Sequence, residues 1–168
     1  IHYTALSNCS EAINYLCDKR NKVSSHYLIS QKGDIYNLVD IKKRAWHAGY
    51  SYWGKDTDIN SMSIGIELDY SDAYKNNVFR KKMIFSLKLL IKHLLTKYKI
   101  KPINVLGHSD IAPYRKKDPG KKFPWKDLYL YNLSYYPKYE ININNNLIKK
   151  WFFKFNLKNK KQISLFIL

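Results

Sequence analysis

Between Val78 and about Tyr98 apolar residues recur with the period of an α-helix: Met83, Ile84, Leu87, Leu90, Ile91, Leu94, Leu95 and Tyr98. Most of the Lys and Arg residues of this stretch fall on the opposite face. The helix is therefore expected to lay one side on a core. It is bracketed by two short apolar runs with strand character, Ser63–Asp69 before it and Ile103–Leu106 after it, the second preceded by Pro102. The N-terminal part repeats the alternation. Ile1–Thr4 reads as the end of a strand, and Ser7 to about Lys19 as a helix capped by Ser7, Asn8 or Ser10. Ser25–Ser30 and Asp34–Val39 read as strands flanking a turn at Gln31-Lys32-Gly33-Asp34, and Trp46–Asp58 as a loop rich in aromatic residues and Gly. Strands alternating with helices imply an α/β domain with a central mixed β-sheet flanked by helices. With 168 residues the chain suits one domain with an ordinary core. The compact part is expected to end near Tyr129, with residues 1–132 as the domain. Residues 133–168 are expected to form a basic, Asn/Lys-rich tail in which Trp151, Phe152, Phe153 and Phe155 could make a small docking helix, or the remnant of a further binding module.

The chain carries 30 Lys and Arg against 13 Asp and Glu, a formal charge of +17. Such an excess favours an anionic partner: a nucleic acid, an acidic membrane face or an acidic wall polymer. Part of it can also follow from a composition rich in Lys, Asn, Ile and Tyr. Cys9 and Cys17 fall in one helix, where eight residues of rise separate their Cα atoms by roughly 12 Å. A disulfide needs about 4.4–6.8 Å, so free thiols are expected. No apolar run is long enough to span a bilayer. The chain starts at Ile1 without Met or a signal peptide, and a processed or trimmed N-terminus is expected.

The chemistry concentrates between Gly107 and Gly120. This segment holds His108, Lys116 and Asp118 and is punctuated by Pro113 and Pro119, which argues for a loop leaving a strand or helix. His108 and Asp118 could share a metal ion, with Lys116 beside them as a fixed positive charge. A catalytic zinc site takes three protein ligands and leaves a fourth position open. A third histidine ligand would come from His2, His26, His47 or His93. His93 sits among lysines on the long helix and reads as solvated. His26 reads as a hydrogen-bonded core histidine. His2 lies at the end of a strand, where a site can form.

Glu67 stands among the apolar residues of Ser63–Asp69. A carboxylate on a core strand is costly unless paired. It is either a general base with a raised pKa or a structural acid bonded to a Lys or Arg, and the residues alone leave both open.

Five segments occur in a characteristic order: Ile1-His2-Tyr3-Thr4-Ala5, Ser24–Ile29, Ala45-Trp46-His47-Ala48-Gly49, Asn60–Glu67 and His108–Gly120. Together they resemble the type 2 N-acetylmuramoyl-L-alanine amidases, zinc amidases related to phage amidase-lysozymes and peptidoglycan recognition proteins. The likeness runs from Ile1 to about Tyr136 and is to the envelope-located branch known as AmiD. It implies that His2, His108 and Asp118 bind Zn2+, that Glu67 is the catalytic glutamate and that Lys116 stabilises the oxyanion. It further implies that His47, with Trp46 beside it, lines the substrate groove. The implied reaction is hydrolysis of the amide joining N-acetylmuramic acid, or its anhydro form, to the L-alanine of the stem peptide. Implied partners are peptidoglycan or muropeptides, with weak association with an anionic envelope, acting as a monomer. The implied location is the cell envelope or periplasm, with the cytoplasm as the alternative. A muropeptide-recognition module of the same fold would be expected to lack a ligand or Glu67, and this chain has them all. A nucleic-acid-binding domain finds support in the charge and in 15 Tyr and 4 Trp. No helix-turn-helix, zinc-finger or RNA-recognition signature accompanies them.

Overall fold

The computed structural model describes residues 1–73 and 78–136. The tail beyond Tyr136, with its aromatic cluster, lies outside the described residues. Four short strands form one sheet: β1 (His2–Tyr3), β2 (Tyr27–Ile29), β3 (Ile35–Asn37) and β4 (Ile66–Leu68). Their spatial order is β1-β4-β2-β3. β4 runs parallel to both β1 and β2, and β3 returns antiparallel to β2, so the sheet is mixed as expected. The β2–β3 turn is closed by Ser30 N–H to Asp34 O at 2.9 Å and turns at Gly33, whose φ of +94° a side chain would strain.

The helices are α1 (Cys9–Cys17), α2 (Ile59–Met62), α3 (Lys81–Tyr98), α4 (His108–Ile111) and α5 (Trp125–Leu130). Asn8 caps α1 by accepting the Glu11 N–H at 2.9 Å, and the Glu11 carboxylate accepts the Ser7 N–H at 3.0 Å. In α3 the predicted stripe is the buried one: Met83, Ile84, Leu87, Leu90, Ile91 and Leu94. The helix starts at Lys81, later than Val78. Arg80 is extended, and Phe79 leaves the helical path to stack on Tyr70 at 4.0 Å and meet Phe123 edge-on. Cys9 and Cys17 are free thiols.

Two faces of the sheet do different work. Ile29, Ile66 and Leu68 pack on the α3 stripe together with Tyr70, Phe123 and Leu128. This core takes in Leu133, beyond Tyr129. Alternation along the strands turns His2, Glu67 and Leu28 to the other face.

One expected strand is absent. Pro102–Asn104 make a tight 3₁₀ turn, in which Val105 N–H bonds Pro102 O at 3.1 Å. Those local bonds, with Pro102 lacking an N–H, hold the segment in a turn, and its end reaches the sheet edge at Leu106 O, which accepts from the Ile1 ammonium at 2.6 Å. The segment after it is also not wholly a loop. His108–Ile111 form one helical turn, in which the Asp110 carboxylate accepts the Gly107 N–H at 2.7 Å, before Pro113 prevents continuation. Among the described residues no helix is long and apolar enough to cross a membrane.

Candidate metal centre and active site

Sheet register creates the site. His2 and Glu67 are directly paired across β1 and β4, and Leu28 is paired with Glu67 on β2. Side chains opposite each other on neighbouring strands share a face, so His2 and Glu67 project side by side. The 108–120 segment then closes over β1. His108 N–H bonds Ile1 O at 3.1 Å, and Ser109 N–H bonds Asp118 O at 2.9 Å, which folds Asp118 back onto His108.

His2, His108 and Asp118 converge, all buried. His2 Nδ1 lies 2.9 Å from His108 Nδ1, and each of these nitrogens lies 3.1 Å from Asp118 Oδ2. Donors about 2.0–2.1 Å from a tetrahedral Zn2+ are roughly 3.3 Å apart, so this triangle has nearly the size the ion requires. The donor chemistry, two imidazoles and a carboxylate, is that of a catalytic zinc with one open position. The far nitrogens are also engaged: His108 Nε2 with Ala48 O at 3.0 Å, and His2 Nε2 with His47 Nδ1 at 3.1 Å. Such outer contacts fix the ring tautomer of a metal-binding histidine.

Burial pushes His2 down to about 3, so the metal-free ring is neutral across ordinary pH. Asp118 is pushed up by burial, but its contacts with His108 and His2 outweigh this and hold it below the usual carboxylate range. Glu67 moves the other way. Burial first, and then the negative charge of Asp118, raises it to about 8, against the opposing pull of the Ile1 ammonium and, less, of Lys116. Glu67 is 8% exposed, and its Oε2 has no hydrogen-bond partner among the described residues. A buried carboxylate oxygen without a partner is expensive, and the paired structural acid allowed by the sequence is not what the fold contains.

Lys116 is exposed on the turn after α4, where its N–H bonds Ala112 O at 3.0 Å. His47 is 6% exposed, and its ring meets that of His2 edge-on with centroids 5.2 Å apart. Gly65 permits this, because a Cβ there would strike the His47 ring. Trp46 is 49% exposed on the same loop and makes none of these contacts. His26 is a core histidine, bonded to Lys43 O and to the Gly65 N–H, and His93 is exposed.

A family model described as N-acetylmuramoyl-L-alanine amidase matches residues 1–121. The chain belongs to the N-acetylmuramoyl-L-alanine amidase family. It is 42% identical over 141 residues to the N-acetylmuramoyl-L-alanine amidase AmiD of Escherichia coli K12, covering 76% of this chain and 50% of that protein. It is 41% identical over 106 residues to the 1,6-anhydro-N-acetylmuramyl-L-alanine amidase AmpD of Citrobacter freundii, covering 62% of this chain and 54% of that one. Thus the chain spans about half the length of these curated relatives. Its fold matches the structure of E. coli AmiD in complex with the substrate anhydro-N-acetylmuramic acid-L-Ala-D-γ-Glu-L-Lys. The TM-score is 0.75 at 39% identity, covering 82% of this chain and 57% of that one. It also matches Pseudomonas aeruginosa AmpDh3 in complex with anhydromuramic pentapeptide, with a TM-score of 0.74 at 31% identity, covering 97% and 69%.

In this amidase domain several supporting groups escaped sequence reasoning. The Asn60 side chain accepts the N–H groups of both His47 and Ala48, at 3.0 and 2.7 Å, and so holds the loop that carries the Ala48 carbonyl. The Arg115 guanidinium bonds Tyr50 O at 2.6 Å and also bonds Ala48 O. Both residues lie in the quoted motifs, but nothing in residue type marks a side chain that will bond a distant backbone.

Proposed function

We propose that this domain hydrolyses the amide between N-acetylmuramic acid, or its anhydro form, and the L-alanine of the peptidoglycan stem peptide. The observation that carries the reading is Glu67: a buried carboxylate with an unpartnered oxygen, held in register with His2 beside a donor triangle of zinc dimensions. The substrate class rests on the likeness to AmiD and AmpDh3, whose structures hold anhydromuramyl peptides. We further propose the cell envelope as the place of action, on the likeness to AmiD.

His2, His108 and Asp118 would hold Zn2+, which when bound supplies Lewis acidity toward a carbonyl and lowers the pKa of water toward ~7. Glu67, as the carboxylate that a cation in the donor triangle would favour, takes the proton of the attacking water as general base. Lys116 offers its ammonium to the negative charge growing on the carbonyl oxygen. Glu67 then returns the proton to the departing L-alanine nitrogen. Burial of Glu67 and Asp118 keeps water from screening these charges. Trp46 is proposed as an apolar face for the sugar.

The test is mass spectrometry of purified muropeptides after incubation with the protein, with and without a zinc chelator. Release of stem peptide beginning at L-Ala, stopped by chelator and restored by Zn2+, is the expected result. Intact muropeptides in the presence of bound zinc would overturn the reading in favour of recognition without cleavage.

A further inference from the structure

We infer that Ser63 and His47 form a positioning relay for the metal ligand His2. The inference rests on the zinc site proposed above, but it concerns the affinity and ligand geometry of that site, not the bond that is cut.

His2 needs outside support. It lies on a strand of two residues at the sheet edge, with β4 as its ladder partner. Its ring can present Nδ1 to an ion only if the proton resides on Nε2. That nitrogen lies 3.1 Å from His47 Nδ1, so His47 must accept there and carry its own proton on Nε2.

Ser63 decides the matter. Its Oγ is 2.5 Å from Ile59 O and 3.4 Å from His47 Nε2. A carbonyl can only accept, so the single hydroxyl proton goes along the shorter contact to Ile59 O. The Ser63 oxygen can then only accept from His47 Nε2–H. The proton positions follow without a free choice: Ser63 O–H to Ile59 O, His47 Nε2–H to Ser63 Oγ, and His2 Nε2–H to His47 Nδ1. The lone pair of His2 Nδ1 is left facing His108 and Asp118.

His47 is built to hold this position. Its backbone N–H bonds Asn60 Oδ1 at 3.0 Å, and its ring fills the space above Gly65. The second histidine ligand is oriented differently, by a direct bond from His108 Nε2–H to Ala48 O. Outer partners of this kind commonly change metal affinity by about 10–100-fold when removed.

The test uses the full chain, stripped of metal and titrated with Zn2+ against a competing chelator, for native protein, His47→Leu, His47→Asn and Ser63→Ala. His47→Leu is expected to weaken Zn2+ about 10–100-fold. His47→Asn, whose side-chain oxygen sits near the place of Nδ1, is expected to recover most of that loss. Ser63→Ala is expected to weaken Zn2+ a few-fold, because it frees His47 to put its proton on Nδ1. Imidazole 15N–1H correlations of the zinc-loaded native protein are expected to show the His2 proton on Nε2. Affinity of His47→Leu within about twofold of native, or no recovery by His47→Asn, would overturn the relay. If His47→Leu does not fold, Ser63→Ala decides, and unchanged affinity with an unchanged His47 tautomer would overturn it. Native protein that shows these affinity differences yet leaves muropeptides intact would defeat the proposed function and support the relay. Cleavage by native protein with unchanged zinc affinity in His47→Leu would do the reverse.

Discussion

At the scale of single residues, Glu67 combines the proposed chemistry with a cost to the fold. Its pKa is raised from 4.5 to about 8 by burial and by Asp118. A group whose proton is held more tightly in the folded state than in the unfolded one favours folding at low pH. That advantage is complete below about pH 4.5 and disappears as pH rises through about 8. Above that range the metal-free protein carries a buried, unpartnered charge. Glu67→Gln is therefore expected to raise the melting temperature of the metal-free protein at pH 8, and to change it little at pH 4. The same substitution is expected to leave Zn2+ affinity near native, because Glu67 is not in the donor triangle, while lowering hydrolysis by a factor of about 10² or more. An equal change in melting temperature at both pH values would contradict the assigned burial. Undiminished hydrolysis would contradict the assigned role. His108→Ala, by contrast, is expected to lose zinc and hydrolysis together, as read by chelator competition and by the muropeptide assay.

At the scale of elements, the sheet separates stability from chemistry. Leu87 is fully buried on α3 against the face that carries Ile29, Ile66 and Leu68, whereas His2 and Glu67 occupy the other face. Leu87→Ala is expected to cost about 2–5 kcal/mol in urea unfolding. In the folded protein it should alter zinc affinity by less than about threefold. A large loss of zinc affinity well below the unfolding midpoint would mean that the two faces are coupled. The α3 stripe, the β2–β3 turn and the Asn8 cap could be read from the sequence because each is set by residues close along the chain. Ile103–Leu106 could not, since a short apolar run suits a strand or a turn equally and Pro102 decided locally for a turn. The site was legible in part for the same reason. His108, Lys116 and Asp118 sit in one segment, whereas residue patterns left the third ligand open among four histidines. Choosing His2 required the strand order β1-β4-β2-β3 or a family likeness, and strand order is not written in local periodicity. The place of His47 against His2 depends on the missing Cβ of Gly65, a contact across 18 positions that no pattern announces.

At the scale of the whole molecule, the donor set ties positions 2, 108 and 118 together, and thus joins the edge strand to α4 and the segment after it. An ion bound there stabilises the folded state by mass action, by about 4 kcal/mol when free Zn2+ is a thousandfold above its Kd. For a domain of this size that is a rise of roughly 10 °C or more in melting temperature. The gain should be local in origin. Zinc removal is expected to speed amide hydrogen exchange in β1 and in 108–120, while α3, held by its own apolar stripe, keeps its protection. Uniform acceleration across α3 as well would mean that the ion holds the whole fold. Charge acts over a longer range than the ion. From Leu133 onward the chain holds seven Lys against one Glu, so most of the +17 excess belongs to the domain itself. Exposed charges are screened within about 8 Å at 0.15 M salt, whereas the buried contacts around Glu67 are screened far less. Raising salt from about 0.05 to 0.5 M is therefore expected to release the protein from intact sacculi much more than it slows cleavage of small soluble muropeptides, as read by a pull-down and by initial rates on the same preparation. Equal salt sensitivity of both would place the surface charge in the reaction itself. A salt-independent pull-down would assign polymer affinity to uncharged contacts and leave the basic surface without a part in it.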